Sequence, residues 1–307
     1  MHGFITDPTG QDGLRLAHDL PEPEPAAHEV VVDVRAFGVN RGELFLLRQR
    51  ADGWRPGQDL AGVVARAADD GTGPVAGTCV VGVADGGAWS ERVAVPAHHV
   101  AALDAGVPFT EAAALPIAGL TALRALRHGG AVLGRAVLVT GATGAVGSLA
   151  VQLAVASGAR VTAHVSGPHR EQVAAHLGAA SVIWAFDDTT GPYDVVLDGV
   201  GGPVLQAAVH HLAPGGIAVT YGTMAGSAEL GLSDFRPAPL ARVVGFFHHL
   251  PEETKGEDLA ILAALVADGR LRPQLGVARD WEHTLEVLGL LRDGEVRGKA
   301  VLTLGHH

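Results

Sequence analysis

A chain of 307 residues, 48 % of them hydrophobic, has room for about two domains and enough apolar surface to pack a core in each, which excludes a disordered protein. Glycine and proline, 42 and 17 residues, stay below the share that marks low-complexity sequence and imply many turns. Lys+Arg 22 against Asp+Glu 33 leave a net charge of −11 with no cluster of cations, a balance that repels a phosphate backbone and argues against nucleic acid as a partner.

The N-terminus, M-H-G-F-I-T-D-P, has neither the basic nor the apolar stretch of a secretory signal. Residues 28–34, H-E-V-V-V-D-V, alternate and are rich in valine, as a strand is. Short strand-like runs recur at 62–66, 79–83 and 92–95 with glycine or proline turns between them. The first third therefore reads as a β-rich domain. Its Cys79 is the chain's single cysteine; it can close no intramolecular disulfide and build no cysteine-rich zinc site, which suits a reducing cytoplasm.

From residue 116 the texture changes. Residues 115–127 have helical apolar spacing, and an apolar strand follows at 135–140. Then strand and helix alternate: helix 146–157, strand 160–165, helix 169–177, strands 181–186 and 194–197, helix 202–212, and strands 217–221 and 242–247. Such alternation predicts a parallel sheet covered on both faces, a doubly wound Rossmann domain spanning 116–255. The 24 uncharged residues 136–159 approach the length of a membrane span, but glycines 141, 144, 147 and 158 divide them into strand, turn and helix, so no membrane role is expected. An amphipathic helix to residue 268, a second at 281–292 and a strand at 299–304 have no place in a completed Rossmann sheet. The expected home of 256–307 is the β-rich domain formed by 1–115, with the Rossmann domain inserted between its parts.

The strongest motif is V-L-V-T-G-A-T-G-A-V-G, residues 137–147. A strand runs into three glycines spaced by two residues each, and a helix follows. Gly144 lets backbone approach a pyrophosphate, the next glycine lets helix meet strand, and the helix N-terminus offers unpaired N–H groups to phosphate. An NAD site would carry an acidic residue about 20 residues on. Here residues 163–170 read A-H-V-S-G-P-H-R, with Ser166 able to hydrogen-bond and Arg170 able to pair with a 2′-phosphate, which points to NADPH.

Several further motifs occur in order: G-V-N at 38–40, P-G-Q-D-L-A-G-V-V at 56–64, G-G-A-W-S-E-R-V-A-V-P at 86–96, A-A-A-L-P-I-A-G-L-T-A-L at 112–123, the glycine loop, L-G-A at 177–179, D-V-V-L-D-G-V-G-G at 194–202 and G-K-A-V-L at 298–302. With them the chain resembles, over nearly its whole length, the medium-chain dehydrogenase/reductase superfamily, and within it the zinc-independent quinone oxidoreductases and enoyl reductases. The resemblance implies an α/β protein with a GroES-like β-rich catalytic domain beside the Rossmann domain. It places Asn40 near the nicotinamide and in the catalytic site, and Thr121 on the coenzyme. It further implies that Gly141, Thr143, Gly144, Ala145 and Val146 meet the pyrophosphate region, and that Gly222, Thr223, Phe246, Phe247 and Lys299 close over the nicotinamide half. It also implies a homodimer, formed by pairing the last Rossmann strand across a two-fold axis.

Two departures matter. Zinc dehydrogenases of the superfamily have a cysteine where this chain reads G-V-N-R-G-E and a G-H-E where it reads Gly57-Gln58-Asp59, so the soft ligand and the imidazole of a tetrahedral zinc site are both missing and no metal is expected. The 16 histidines do not replace them, because His98-His99, His210-His211 and His248-His249 are neighbours whose side chains diverge. Without a Lewis acid the expected chemistry is hydride addition to the activated C=C bond of an enone, quinone or enoyl compound, with the enolate held by hydrogen-bond donors. The proton donor is the unfilled role. Tyr221, at a predicted strand end, is the candidate, while Arg41, Glu43 and Arg48 read as a solvated loop. That gap leaves open a nicotinamide-bound scaffold, sensor or cyclase without net redox. An S-adenosylmethionine methyltransferase predicts an acid where Ser166 stands and leaves the β-rich domain unexplained.

Overall fold

The structure, a computed structural model, describes residues 1–247 and 254–305. The chain divides into two compact units, Met1–Leu120 with Glu252–His307, and Thr121–Pro251; the sequence places these divisions at 115/116 and 255/256.

In chain order the first unit contributes β1 (Gly3–Thr6), β2 (Leu14–Ala17), β3 (Glu29–Val39), α1 (Arg41–Gln49), β4 (Asp59–Arg66), β5 (Cys79–Val83), β6 (Arg92–Pro96), β7 (Val100–Ala102) and α2 (Phe109–Ala112). Next come α3 (Pro116–His128), β8 (Ala136–Thr140), α4 (Ala145–Ala156), β9 (Arg160–His164), α5 (Glu171–His176), β10 (Ser181–Ile183), β11 (Tyr193–Asp198), α6 (Gly202–His210), β12 (Leu212–Thr220) and β13 (Arg242–Gly245). The chain then returns to the first unit with α7 (Gly256–Ala267), β14 (Leu275–Asp280), α8 (Thr284–Arg292) and β15 (Lys299–Thr303).

The first unit is built on a seven-stranded sheet in the order β14-β15-β3-β4-β5-β7, with β6 also paired to β3. Antiparallel pairing sets Val39 opposite Ala300 and Phe37 opposite Leu60. That register brings the end of β3 and the starts of β15 and β4 to one end of the sheet. Inward side chains of β3 (Val30, Val32, Val34, Phe37) share a core with Trp89, with Leu288 and Leu291 of α8 and with Leu302 of β15. The Phe37 and Trp89 rings stack with centroids 5.8 Å apart. Several elements depart from the sequence reading, among them β7, α2 and β14, which it does not contain. The hairpin β1–β2 is too short to show a period, and residues 41–49, read as loop, form α1.

The second unit is a six-stranded, wholly parallel sheet in the order β10-β9-β8-β11-β12-β13. Renumbered from β8, this is the doubly wound order 3-2-1-4-5-6, whose ligand crevice lies outside the C-terminal strand ends where the winding reverses, at β8. Strands buried on both faces must be apolar throughout, and β8 (A-V-L-V-T) is. The uncharged α4 buries Leu149, Ala150, Val151, Leu153 and Ala154, so the 24-residue uncharged run is interior helix and strand. Among the described residues no helix is long and apolar enough to cross a membrane. Helix α6 ends two residues earlier than its sequence pattern suggests, because Leu212 already opens β12.

Candidate functional site

In the second unit the glycine loop is shaped by contacts that side chains would prevent. Gly141 adopts φ +61°, a left-handed conformation that favours glycine. A Cβ on Gly147 would lie 2.2 Å from the Gly141 carbonyl oxygen, so α4 can press onto the loop only through a glycine. Gly144 is the N-cap of α4 and brings no capping side chain, which leaves the first N–H groups of the helix, on Ala145 and Val146, without intrahelical acceptors. Both residues and Gly144 are half-exposed, whereas Thr143 is buried.

Beyond β9 the chain turns at Pro168–Arg170. This turn carries Arg170 back to the glycine loop, where its Nη1 donates to Thr143 Oγ1 at 3.1 Å. Ser166 is exposed. His164, the last residue of β9, is buried and stacked on Phe186 at 5.2 Å; burial holds its imidazole below the usual histidine range, so it is neutral at pH 7.

Asp198 fastens the adjacent ends of β8, β11 and β12. Its carboxylate accepts from Thr140 Oγ1 at 2.6 Å, from Thr220 Oγ1 at 2.9 Å and from the Gly201 N–H at 3.1 Å, all inside the fold. Tyr221 follows directly. Its hydroxyl is buried and has no hydrogen-bond partner among the described residues; burial, and then the Asp198 charge, push the phenol well above its usual range. Such a group holds its proton at any physiological pH and can donate a hydrogen bond. Gly222 allows the loops after β11 and β12 to touch, since a Cβ there would lie 2.3 Å from the Gly199 carbonyl oxygen. Thr223 is exposed, Thr121 is buried in α3, the Phe246 ring lies against His128 at 5.1 Å, and Phe247 is 80 % exposed. The pair His248-His249 lies outside the described residues.

The first unit holds a second constellation. Asn40 follows β3, Asp59 opens β4 and Lys299 opens β15, so three neighbouring strand ends bring them together. Lys299 Nζ lies 2.5 Å from both Asp59 Oδ2 and Asn40 Oδ1, and Asn40 Nδ2 donates to Asp59 Oδ2 at 2.8 Å. Asp59 Oδ1 accepts the Ile117 N–H at 2.8 Å. The lysine and aspartate side chains are 3 % and 0 % exposed, so this is a desolvated ion pair. Gly38 makes the room: a Cβ there would lie 2.8 Å from Lys299 Cε and 2.6 Å from Asp59 Oδ2.

Glu43 supports the arrangement from α1. It is fully buried, not solvated as the sequence suggests. Its Oε2 accepts the Asn40 N–H at 2.7 Å, the returning half of a capping box, and its Oε1 accepts the Gln58 N–H at 3.0 Å. Burial first, and the Asp59 charge second, push its carboxyl up to about 8. The folded state therefore keeps a proton that the unfolded chain loses above pH 4.5, so this group makes stability fall as pH rises from 4.5 to 8. Glu43→Gln is expected to flatten that part of the stability curve in urea unfolding; an unchanged slope would show that another group sets it. Asp59 and Glu43 were reachable from sequence only as carboxylates beside the G-H-E and G-V-N-R-G-E positions; nothing in the local pattern signals their burial.

Residues 26–105 match the family described as alcohol dehydrogenase GroES-like domain, and residues 145–263 the family described as zinc-binding dehydrogenase. Human quinone oxidoreductase is 28 % identical over 96 % of this chain and 95 % of its own length. The structure of the quinone oxidoreductase from Coxiella burnetii superposes with a TM-score of 0.85 at 26 % identity, covering 99 % of both chains. The chain belongs to the medium-chain dehydrogenase/reductase superfamily, in its quinone oxidoreductase-like branch. It is also 35 % identical, over 95 % of its residues, to the spectinabilin polyketide synthase system protein NorB of Streptomyces orinoci, of whose length it spans 14 %.

Membership of the medium-chain dehydrogenase/reductases makes this an oxidoreductase-family protein and implies a nicotinamide coenzyme. The second unit fits one: an uncapped helix N-terminus, a loop that only glycine can form and an orphaned buried hydroxyl lie at the crevice end of its sheet. Zinc does not fit the first unit. The two donor positions that resemblance assigns to thiolate and imidazole carry the amides Asn40 and Gln58, and an ammonium already lies against Asn40 and Asp59. Among the described residues no three His, Cys, Asp or Glu converge as a metal cluster.

Proposed function

We propose that the protein is a zinc-independent, NADPH-dependent reductase of the activated C=C bond in an enone, quinone or enoyl compound. The observation that carries this reading is the donor set of the first unit: the amides Asn40 and Gln58 occupy the positions where resemblance expects a thiolate and an imidazole, and the Lys299 ammonium is paired with Asp59 beside Asn40. Reduction of a simple ketone leans on a Lewis acid to polarise the carbonyl, whereas conjugate addition delivers charge to a distant oxygen that hydrogen-bond donors can hold.

The backbone of Gly144, Ala145 and Val146 holds the pyrophosphate at the N-terminus of α4, beside Gly141 and Thr143. Arg170, with Ser166 nearby in sequence, reads the 2′-phosphate, and its contact with Thr143 supports this because it already sits on the loop that meets the coenzyme. Thr121, Gly222, Thr223, Phe246 and Phe247 line the nicotinamide half, and Tyr221, whose buried hydroxyl has no hydrogen-bond partner among the described residues, is the candidate hydrogen-bond donor. The bound coenzyme supplies the hydride. The relatives include quinone oxidoreductases and a polyketide synthase protein, so quinones and enoyl thioesters join simple enones as acceptors to try. Loss of the reduced coenzyme's absorbance with at least one of these acceptors is the expected result; tight NADPH binding with oxidation by none would favour a non-redox holder of the coenzyme.

The protein is further proposed to act as a homodimer in the cytoplasm. Strand β13 pairs only with β12 among the described residues, leaving a sheet edge open, and Leu232 and Leu240 in the preceding segment are 89 % and 88 % exposed. Sedimentation is expected to give twice the 31.4 kDa chain mass; a monomer at micromolar concentration would refute the assembly.

A further inference from the structure

We propose that His2 and His18 form a surface site for a zinc ion, held by the two imidazoles and completed by water. The site belongs to the two-stranded sheet β1–β2, a sheet separate from the one at whose strand ends Asn40 and Asp59 lie, and it stands independently of the reductase reading above.

Both histidines are exposed, yet neither sits on a free tail. On one side His2 is tied to Glu91: its N–H donates to Glu91 Oε2 at 2.7 Å and its carbonyl oxygen accepts the Glu91 N–H at 3.1 Å. On the other side β1 pairs with β2, with Gly3 opposite Ala17. Further out Met1 and Leu20 exchange two hydrogen bonds, from the Met1 ammonium to the Leu20 carbonyl oxygen at 2.8 Å and from the Leu20 N–H to the Met1 carbonyl oxygen at 3.0 Å. Between those two pairs one strand has only His2, while the other has His18 and Asp19. That mismatch is a β-bulge, a device that re-aims side chains. Both ligands are thus carried on backbone that is already paired, which lowers the entropic cost of holding an ion.

The result is that the two Nδ1 atoms lie 3.5 Å apart, with the ring planes at 88°. A hydrogen bond donated by N–H prefers about 2.7–3.2 Å, whereas a tetrahedral zinc ion bonded to two imidazole nitrogens at about 2.0–2.1 Å holds them about 3.3–3.4 Å apart. The observed spacing is nearer the second. At the same bond length the right angle of a square-planar ion needs about 2.9 Å, so the spacing favours a tetrahedral ion. Charge agrees: Glu91 lies on the His2 N–H, Asp19 shares the bulge, and Glu22 is 3.7 Å from the Met1 ammonium and 3.1 Å from Arg92, which makes three carboxylates against two cations. Among the described residues no third side chain converges, so binding is weaker than at a structural zinc site with four protein ligands. A bound ion would staple β1 to β2 across the bulge.

The test titrates zinc chloride, in a buffer without metal-binding groups, into the full chain and into His2→Gln, His18→Gln and the double variant, with calorimetric detection. Either single substitution is expected to weaken one zinc site at least about tenfold, because an imidazole without its neighbour loses the effective concentration that linkage supplies. The double variant is expected to lack the site just as the single ones do, since removing either ligand already dismantles it. The remaining histidines and Cys79 are present in all four proteins, so any zinc they take is a common background. Zinc at about 100 times its Kd is expected to raise the wild-type Tm by about 2–4 °C and to leave the variants unmoved. Both side chains are exposed, so the metal-free Tm of every variant is expected within about 1 °C of wild type, which shows that each folds.

Variants that bind zinc with wild-type stoichiometry and affinity would overturn the site and leave the contact as a long hydrogen bond between two rings. Loss in one single variant but not in the other would overturn the shared ion, because only one histidine would then be a ligand.

Discussion

Arg170→Glu is expected to weaken NADPH binding at least about 100-fold while changing NADH binding less than threefold. Two charge-assisted hydrogen bonds to a phosphate are worth roughly 1.5–3 kcal/mol each, and every 1.4 kcal/mol is a factor of ten. The substitution also sets a carboxylate against a 2′-phosphate carrying up to two negative charges, so the loss exceeds that of a neutral truncation. NADH lacks that phosphate and loses only a residue on the loop's flank. The Arg170–Thr143 contact gives the expectation its structural basis, because the guanidinium already lies against the loop whose next residue, Gly144, caps α4. Isothermal titration with both coenzymes reads the effect. Equal losses for the two would mean that Arg170 supports the loop and does not read the phosphate.

Gly147→Ala is expected to abolish measurable coenzyme binding and to lower stability by about 1–3 kcal/mol, the usual range for forcing a methyl group into filled space. Its Cβ would meet the Gly141 carbonyl oxygen at 2.2 Å, the Gly141 carbonyl carbon at 2.8 Å and Ala142 Cα at 2.9 Å. All three are backbone atoms, so no side chain can swing aside and the loop itself must move away from α4. Gly144→Ala makes an informative control, since the nearest atom to a Cβ there is the Gly141 carbonyl oxygen at 3.3 Å and the fold can accommodate it. Urea unfolding and coenzyme titration of the two variants separate a folding requirement from a binding one. A Gly147→Ala protein that binds NADPH normally would remove the glycine loop from the coenzyme site.

The Rossmann half was legible because its strands are buried on both faces. Runs such as A-V-L-V-T in β8 and Y-D-V-V-L-D in β11 cannot be mistaken once helices separate them, and the glycine loop advertises itself by spacing. The charged cluster of the other unit was legible only in pieces. Asn40, Asp59 and Lys299 each drew notice as separate positions, but the bond between Asp59 and Lys299 joins residues 240 apart, and no local period encodes it. Glu43 misled for a related reason. The stretch R-G-E-L-F-L-L-R-Q is charged at its ends and reads as exposed, while in the fold α1 buries this one acid because the Asn40 and Gln58 N–H groups need an acceptor there. Tyr221 was visible as a residue at a strand end, but the burial of its hydroxyl depends on how the loops after β11 and β12 touch, which Gly199 and Gly222 permit and sequence spacing does not show.

The reductase reading is tested most directly by following the label from NADPH dideuterated at nicotinamide C4 into an enone, with the product examined by NMR. Deuterium on the β-carbon of a saturated ketone, with a solvent proton at the α-carbon, is the expected outcome. Deuterium on the carbonyl carbon of an allylic alcohol, or no transfer to any enone, quinone or enoyl acceptor, would contradict it.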